Sequence, residues 1–473
     1  MRSPLLQLFQ HQATGGLRER LCTTLRLAIS RHHLHAGQQL PSTRQLARDL
    51  NLSRVTVEAA YGQLESEGYL RRETGRGSFV AITMPAPSAP SGVHQPAHFS
   101  ARGQQVLATG GCQDPPFPHA FAAGSPELRA FPHETWRRLS SNVQRSLGSA
   151  AMGYGDPCGY LPLRRAIADY LALSRGVHCQ PEQVMILTSS QQALQLLALM
   201  LLDADDEVWM EEPGYPGARN AFLAAGARIR GIALDDEGAL PTRGSAKLMY
   251  LTPSHHYPTG ITLSLPRRLA WLDWARRNRS WLIEDDYDSE FHYHERPIPA
   301  LQGLDRHQRV ITLGTFSKSL FPSLRLAWMV VPPALVAPMG QARSVLDGHS
   351  ALLPQAITAA FLQQGHFASH LRLMRQLYRS RREQLIEQIN QRLTPWITPI
   401  DSGGGLQLTV KLAQNEAQLT ARAAQIGLLL PRLSPLYAGP ARQQGWILGY
   451  AALTPDEIVA GCDKLHGLLA GKN

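Results

Sequence analysis

The chain has 473 residues, 44% hydrophobic and 18% charged, a balance of folded globular domains rather than of a disordered polymer. Its longest apolar run, residues 193–202, is too short to cross a bilayer, and the first thirty residues lack the apolar core of a secretory signal. Five scattered cysteines with no C-x-x-C pair argue against a disulfide framework or a zinc site, so a reducing cytoplasm and no bound metal are expected.

The net charge of +10 is unevenly placed. Residues 1–80 hold eleven Arg, no Lys and six Asp or Glu, so half of the excess sits in a sixth of the chain. That points to a polyanion partner for this end, the alternative being a solvated basic face. Leu17, Leu21, Leu25, Ala28 and Ile29 share one helical face. In the following LPSTRQLARDL, Ser42 and Gln45 have capping-box spacing, with Leu46 and Leu50 on the buried side. After a short turn at Asn51-Leu52, Ser53 caps a third helix whose inner face is Val57, Ala60, Tyr61 and Leu64. Helix, short turn, helix is the helix-turn-helix arrangement, and residues 69–80, with Gly75-Arg76-Gly77 at the centre, read as a β-hairpin wing. Arg44 and Arg54 each fall in the first turn of a helix, where the macrodipole disfavours a cation unless a phosphate docks there too. Either one alone reads as a surface charge; with Arg76 on the wing tip, duplex DNA is the better reading.

The strings LPSTRQLARDLNLSRVTVEAAYGQLESEGYL and GRGSFV resemble the winged helix-turn-helix of GntR-type bacterial repressors over about residues 14–80. The resemblance implies that Ser42, Arg44, Ser53, Arg54, Thr56 and Gly77 touch DNA, while Glu58 stands where many relatives carry Arg.

Residues 81–115, with Pro85, Pro87, Pro90, Pro96 and Pro115, read as a semi-extended linker. From residue 116 onward the pattern is α/β. Strands are expected over 184–187, 208–210, 229–233, 248–252, 281–284, 310–313 and 326–331, with helices such as 192–202 and 266–277 between several of them. Apolar runs joined by crossovers imply a mostly parallel seven-stranded sheet covered on both faces, with ligands at the loops after strand C-termini. A long helix over 366–391 and weaker strands near 406–410 and 446–451 suggest a smaller C-terminal subdomain over about 365–473.

Only five basic residues are Lys; the other 42 are Arg. A Lys at a loop site therefore invites a reason that Arg cannot meet, and Schiff-base chemistry is one, because it needs an amine that can lose its proton. Lys318 follows an apolar strand and stands among Thr315, Ser317 and Ser319; Lys247, Lys411, Lys464 and Lys472 read as solvated charges. Another apolar strand runs straight into Glu284-Asp285-Asp286-Tyr287. A carboxylate there could keep the pyridine nitrogen of pyridoxal 5′-phosphate protonated, and Tyr287 could reach the 3′-oxygen; a solvated acidic turn or a divalent metal cluster is the alternative. Ser189, Ser190 and Gln191, between a strand and a helix, suit a phosphate cradle together with Thr315, Ser317 and Arg325.

The motifs YGDPCGYLPLRRAIADYL, LTSSQQALQLL, EEPGYPGAR, LTPSHHYPTG, IEDDYDSEF and TFSKSLFPSLRLAW occur in the order of fold-type I aminotransferases over residues 116–473. Joined to the N-terminal part, they resemble the MocR subgroup of GntR regulators. The resemblance implies an internal aldimine on Lys318, the catalytic lysine, with Asp285 on the pyridinium, Tyr287 on the 3′-oxygen and Tyr215 stacked on the ring. It places Ser189, Ser190, Gln191, Thr315, Ser317 and Arg325 around the phosphate, His255 in the loop facing the cofactor, and Tyr154 on the phosphate of a neighbouring subunit, which requires a homodimer. Aminotransferases hold the substrate α-carboxylate with an Arg near the final strand; Gly445-Trp446-Ile447-Leu448-Gly449-Tyr450 contains none, and Arg442 is the nearest effector-binding candidate. The expected activity is cofactor-linked transcriptional regulation in the cytoplasm, on the nucleoid, with a B6 vitamer, amino acid or amine as signal. The alternative is a working aminotransferase with a DNA-binding appendage.

Overall fold

The computed structural model describes residues 4–12, 14–82, 98–109, 120–293, 298–400, 402–413 and 415–471. The chain divides into two compact units, Met1–His98 and Phe99–Asn473.

The first unit is built from helices Pro4–His11, Leu17–Ser30, Thr43–Leu50 and Arg54–Ser66, followed by β1 (Leu70–Glu73) and β2 (Gly77–Val80), an antiparallel hairpin. Leu21, Leu25, Ala28, Ile29, Leu46, Leu50, Val57, Ala60, Tyr61 and Leu64 meet in one core. Leu17, expected on that face, is 50% exposed because it opens its helix one turn before the stripe meets its neighbours. Leu5 and Phe9 of the unanticipated first helix also enter this core. Ser42 accepts from the Gln45 N–H at 3.2 Å, but the capping box stays half-made: the Gln45 amide turns down its own helix to Asp49, at 2.7 Å. Ser53 caps as expected, accepting from the Thr56 N–H at 3.1 Å. Asn51, at φ +53°, reverses the chain between these two helices, a left-handed position that Asn tolerates better than most residues.

Residues 83–97 and 110–119 of the linker region, with its five prolines, lie outside the described residues. The proline-free stretch between them forms the helix Ala101–Ala108, capped by Ser100, rather than an extended spacer.

The second unit holds all seven expected strands: β3 (Val184–Leu187), β4 (Glu207–Glu212), β5 (Arg228–Asp235), β7 (Leu248–Leu251), β8 (Trp281–Asp286), β9 (Val310–Thr315) and β10 (Ala327–Val330). An eighth, β6 (Gly238–Ala239), adds a two-residue edge by doubling back on β5, too short to leave a hydrophobic pattern. The order is β3-β10-β9-β8-β7-β4-β5-β6, parallel from β9 to β5, with β10 antiparallel to both neighbours. The C-terminal ends of β3, β4, β7, β8 and β9 therefore open at one edge. Alternate residues enter opposite layers: Ile283 packs with Leu194 and Phe222 on one face, Leu282 with Trp271 and Trp274 on the other. Helix His366–Arg392, the antiparallel strands β11 (Ile397–Pro399), β12 (Gln407–Leu412) and β13 (Gly445–Gly449), and helix Pro455–Leu469 form the C-terminal part.

Gly314 fixes the approach of β9 to β10. A Cβ there would fall 2.1 Å from the buried Trp328 indole on the paired strand. Gly314→Ala is expected to destabilise the second unit by about 1–3 kcal/mol. Trp328→Phe in the same chain should restore part of that loss, as read by denaturant unfolding; equal stability of Gly314→Ala and the parent would refute the close approach.

Candidate functional site

The acidic end of β8 is sorted by the strand's alternation. Asp285 shares a face with Ile283 and with Tyr250 of the neighbouring β7, whose hydroxyl donates to Asp285 Oδ2 at 2.6 Å. The other oxygen, Oδ1, is sealed from solvent and has no hydrogen-bond partner. Burial pushes this carboxyl up to about 7, with the Tyr250 hydrogen bond opposing and Asp286 and Asp288 adding to the rise. Glu284 and Asp286 point to the opposite layer. Glu284 accepts from the Leu301 and Gln302 N–H groups at 2.8 and 3.2 Å, and Asp286 pairs with the buried Arg175 at 2.9 Å. Asp285 and Asp286 each keep one buried oxygen without a hydrogen-bond partner, but on opposite faces: Asp286 has Arg175 as its counter-charge there, whereas Asp285 has only the Tyr250 hydroxyl.

Strand register carries Lys318 to the same edge. Asp285 and Asp286 pair with Leu313 and Gly314 of β9, and the strand ends one residue later at Thr315. Thr315 caps the turn Phe316–Ser319 by accepting from the Ser317 N–H at 3.1 Å, and its hydroxyl bonds that of Ser317 at 3.0 Å. Half-buried Lys318 rides on this turn. Its Nζ lies 2.9 Å from the point where a Cβ at Gly124 (φ +66°) would sit, and Gln407 Oε1, from the first residue of β12, lies 3.6 Å from the same point. Three tyrosines follow one another along this edge: Tyr215 and Tyr257 with ring centroids 5.4 Å apart, Tyr257 and Tyr287 at 6.1 Å. Burial pushes the Tyr287 phenol well above its ordinary value, and Asp288 and Tyr257 reinforce the shift.

Helix Ser190–Leu201 starts directly after β3. Ser189 accepts from the Gln192 N–H at 3.1 Å, and Gln191 donates to the Gly217 carbonyl at 3.0 Å. The Ser190 and Gln191 N–H groups belong to the first helical turn, where no intrahelical acceptor exists. Arg325 is exposed at φ +52°, closing the 3-10 turn Pro322–Leu324 that follows the lysine.

His255 lies in the loop after β7, where its Nδ1 bonds Asp288 at 2.8 Å and its Nε2 bonds His292 Nδ1 at 3.1 Å. Tyr154 is fully exposed, its ring edge-on to that of His349 at a centroid distance of 6.0 Å. Arg442 is exposed in the loop before β13, close to the Tyr437 phenol. Sequence reasoning missed Tyr250, Tyr257, Gly124 and Gln407. Tyr250 offered the one available signal, a polar tip within the apolar string LMYL.

In the first unit, Arg44 and Arg54 are exposed in the opening turns of their helices and bond no described residue. Val55 beside them is 78% exposed. The Ser53 hydroxyl meets that of Thr56 at 2.8 Å. Arg76 pairs with Glu73 at 2.6 Å on the wing, between Gly75 at φ +73° and Gly77 at φ +111°, left-handed positions that favour glycine. Glu58 is bound to Arg72 of the wing at 2.6 Å, and Arg72 also pairs with Glu65 at 3.0 Å. Among the described residues no group of three or more His, Cys, Asp or Glu could hold a metal ion, and no helix is long and apolar enough to cross a membrane.

Comparison with known proteins matches both units. Residues 17–80 fit the family of bacterial regulatory proteins, gntR family, and residues 122–465 fit aminotransferase class I and II. The probable rhizopine catabolism regulatory protein MocR of Rhizobium meliloti is 40% identical over 97% of this chain and 95% of its own length. The pyridoxine biosynthesis transcriptional regulator PdxR of Corynebacterium glutamicum is 29% identical over 96% of both chains. Among solved structures, the α-aminoadipate aminotransferase LysN of Thermus thermophilus, complexed with N-(5′-phosphopyridoxyl)-L-leucine, superimposes with a TM-score of 0.70 at 28% identity, over 79% of this chain and 95% of that one. Helix-turn-helix with wing, parallel sheet with its acid and lysine at one edge, and likeness to a regulator along almost the whole length agree: the chain belongs to the MocR subgroup of GntR-type transcriptional regulators, a winged helix-turn-helix fused to a fold-type I aminotransferase-like domain.

Proposed function

We propose that the second unit binds pyridoxal 5′-phosphate at the strand edge and that a B6 vitamer or an amine arriving there alters DNA binding by the first unit. The observation that carries this reading is the sealed, unpartnered Oδ1 of Asp285, an acceptor that a protonated pyridine nitrogen would fill. In this reading Tyr287 hydrogen-bonds the 3′-oxygen and Tyr215 covers the ring. Ser190, Gln191, Thr315, Ser317 and Arg325, with the helix capped by Ser189, form the anion cradle. Lys318 supplies the attaching amine. When bound, the cofactor presents an aldehyde carbon that an incoming amine can capture in place of the lysine. The full exposure of Tyr154 supports a homodimer in which it completes the partner's phosphate site. Arg44 and Arg54 serve as phosphate anchors, Thr56 and the wing residues Arg76 and Gly77 lie against the duplex, and Ser42 and Ser53 hold the helix ends in place.

The decisive experiment loads the full chain with pyridoxal phosphate, reduces it with borohydride and maps the added mass. One cofactor on the peptide bearing Lys318, absent in Lys318→Ala, is expected; no mass gain would sink the reading. Sustained turnover of an amino acid with a keto acid would instead favour a working aminotransferase.

Asp285→Asn should weaken cofactor binding at least about tenfold, the size of one charge-assisted hydrogen bond. The same change should stabilise the cofactor-free protein. In the parent, the carboxyl is held near 7 in the folded state against 3.8 as its ordinary value, so the unfolded chain ionises first as pH rises. The advantage of Asp285→Asn in melting temperature is therefore absent near pH 4, grows towards pH 7 and then levels off; a flat difference across that range would refute it.

Arg44→Ala and Arg54→Ala should each weaken binding to selected and random DNA alike and lower the salt slope by about one. Unchanged salt dependence in a filter or anisotropy assay would remove them from the interface.

A further inference from the structure

The outward side of helix Arg54–Ser66 is short of groups that could hydrogen-bond a base. With Val57, Ala60, Tyr61 and Leu64 turned into the core, the opposite stripe at i, i+3, i+4 and i+7 is Val55, Glu58, Ala59 and Gly62. Val55 and Ala59 are exposed, the former at 78%, and Gly62 has no side chain. The charged member, Glu58, is held by Arg72 at 2.6 Å, and Arg72 Nη2 reaches to 4.0 Å from where a Cβ at Gly62 would sit. Thr56, in the same turn as Val55, has its hydroxyl on that of Ser53 at 2.8 Å. The stripe therefore presents methyl groups and backbone, with the cation of Arg54 immediately before it. Val55 is no member of the core cluster, and as a β-branched residue it makes a poorer exposed helix position than alanine would.

We propose that Val55 is a specificity residue, packing against the C5-methyl group of a thymine in the major groove. That is the one methyl group that the four unmodified bases present there. Against a phosphate or any other base edge, the valine would strip water from a polar group and give it no partner. Charge complementarity brings the helix to the duplex, since residues 1–80 hold eleven Arg against six Asp or Glu. Ala59 and Gly62, further along the stripe, are too small to hold the helix away from the base edges. This inference rests on DNA binding by the first unit, and its test separates the two.

Duplexes bound by the full chain are selected from a random pool. Each thymine of the selected site is then replaced singly by uracil, which pairs with adenine as before and lacks only the methyl. Affinities are read by fluorescence anisotropy. At one or more thymines the replacement is expected to weaken binding about fourfold, the worth of burying one methyl group. In Val55→Ala, affinity for the thymine site should fall, and uracil at that thymine should cost nothing further, while the salt slope stays that of the parent because no charge has changed. The substitution lies on the exposed side and favours the helix, so loss of the fold does not intervene. Indifference to uracil at every thymine, an undiminished uracil penalty in Val55→Ala, or binding with no sequence enriched would each overturn the proposal and leave DNA binding standing. Absence of salt-dependent binding to any duplex would overturn the DNA reading itself, and this inference with it.

Discussion

A carboxylate kept dry at the end of a parallel strand, with one oxygen satisfied and the other left open, is the constraint on which the site depends. Leaving a buried acceptor unfilled costs on the order of 1–3 kcal/mol, and the surrounding fold must bear that cost. It does so through order in the sheet. Alternation along β8 sends Glu284 to backbone N–H groups and Asp286 to the Arg175 counter-charge, so Asp285 is the acid of the run that faces its layer with neither a cation nor a backbone donor. The register with β9 then delivers a lysine on a capped turn to the same edge. The helix after β3 opens there too, because β3 runs in the same direction as β9.

The second layer of the site is equally economical. His255, Asp288 and His292 form a closed chain of hydrogen bonds under the loop. His256 accepts from Thr259 and donates to the Pro213 carbonyl, and burial pushes its pKa down to about 3, so it stays neutral as a strut between the loops after β4 and β7. The two adjacent histidines thus hold the loops that carry Tyr215 and Tyr257 in place.

Much of this was legible in the sequence because it is written in local periodicity. Seven apolar runs became seven strands, and Ser53 before an apolar stripe became a helix cap. Lys318 stood out because Arg is the default cation elsewhere. What stayed hidden depends on distance along the chain. Gly124 and Gln407 come to the lysine from far before and far after it, and nothing in their neighbours records that meeting. For His255 the motif position indicates the loop it occupies, but its two hydrogen bonds are set by partners on the next connection, which the motif does not record. The half-made box at Ser42 shows a similar limit: spacing permits the reciprocal bond, but the Gln45 Oε1 that would make it accepts from Arg48 instead, at 3.0 Å.

The bridge from Glu58 on the third helix to Arg72 in the wing has a bearing on how the head searches a genome. Arg72 is already neutralised by two carboxylates of its own unit, so it offers little free attraction to arbitrary duplex. Any phosphate that claims it must first displace an intramolecular rival. A cation already paired within the head releases fewer counter-ions on meeting a duplex, so this bridge works against sequence-independent attraction and leaves base edges a larger share of the discrimination.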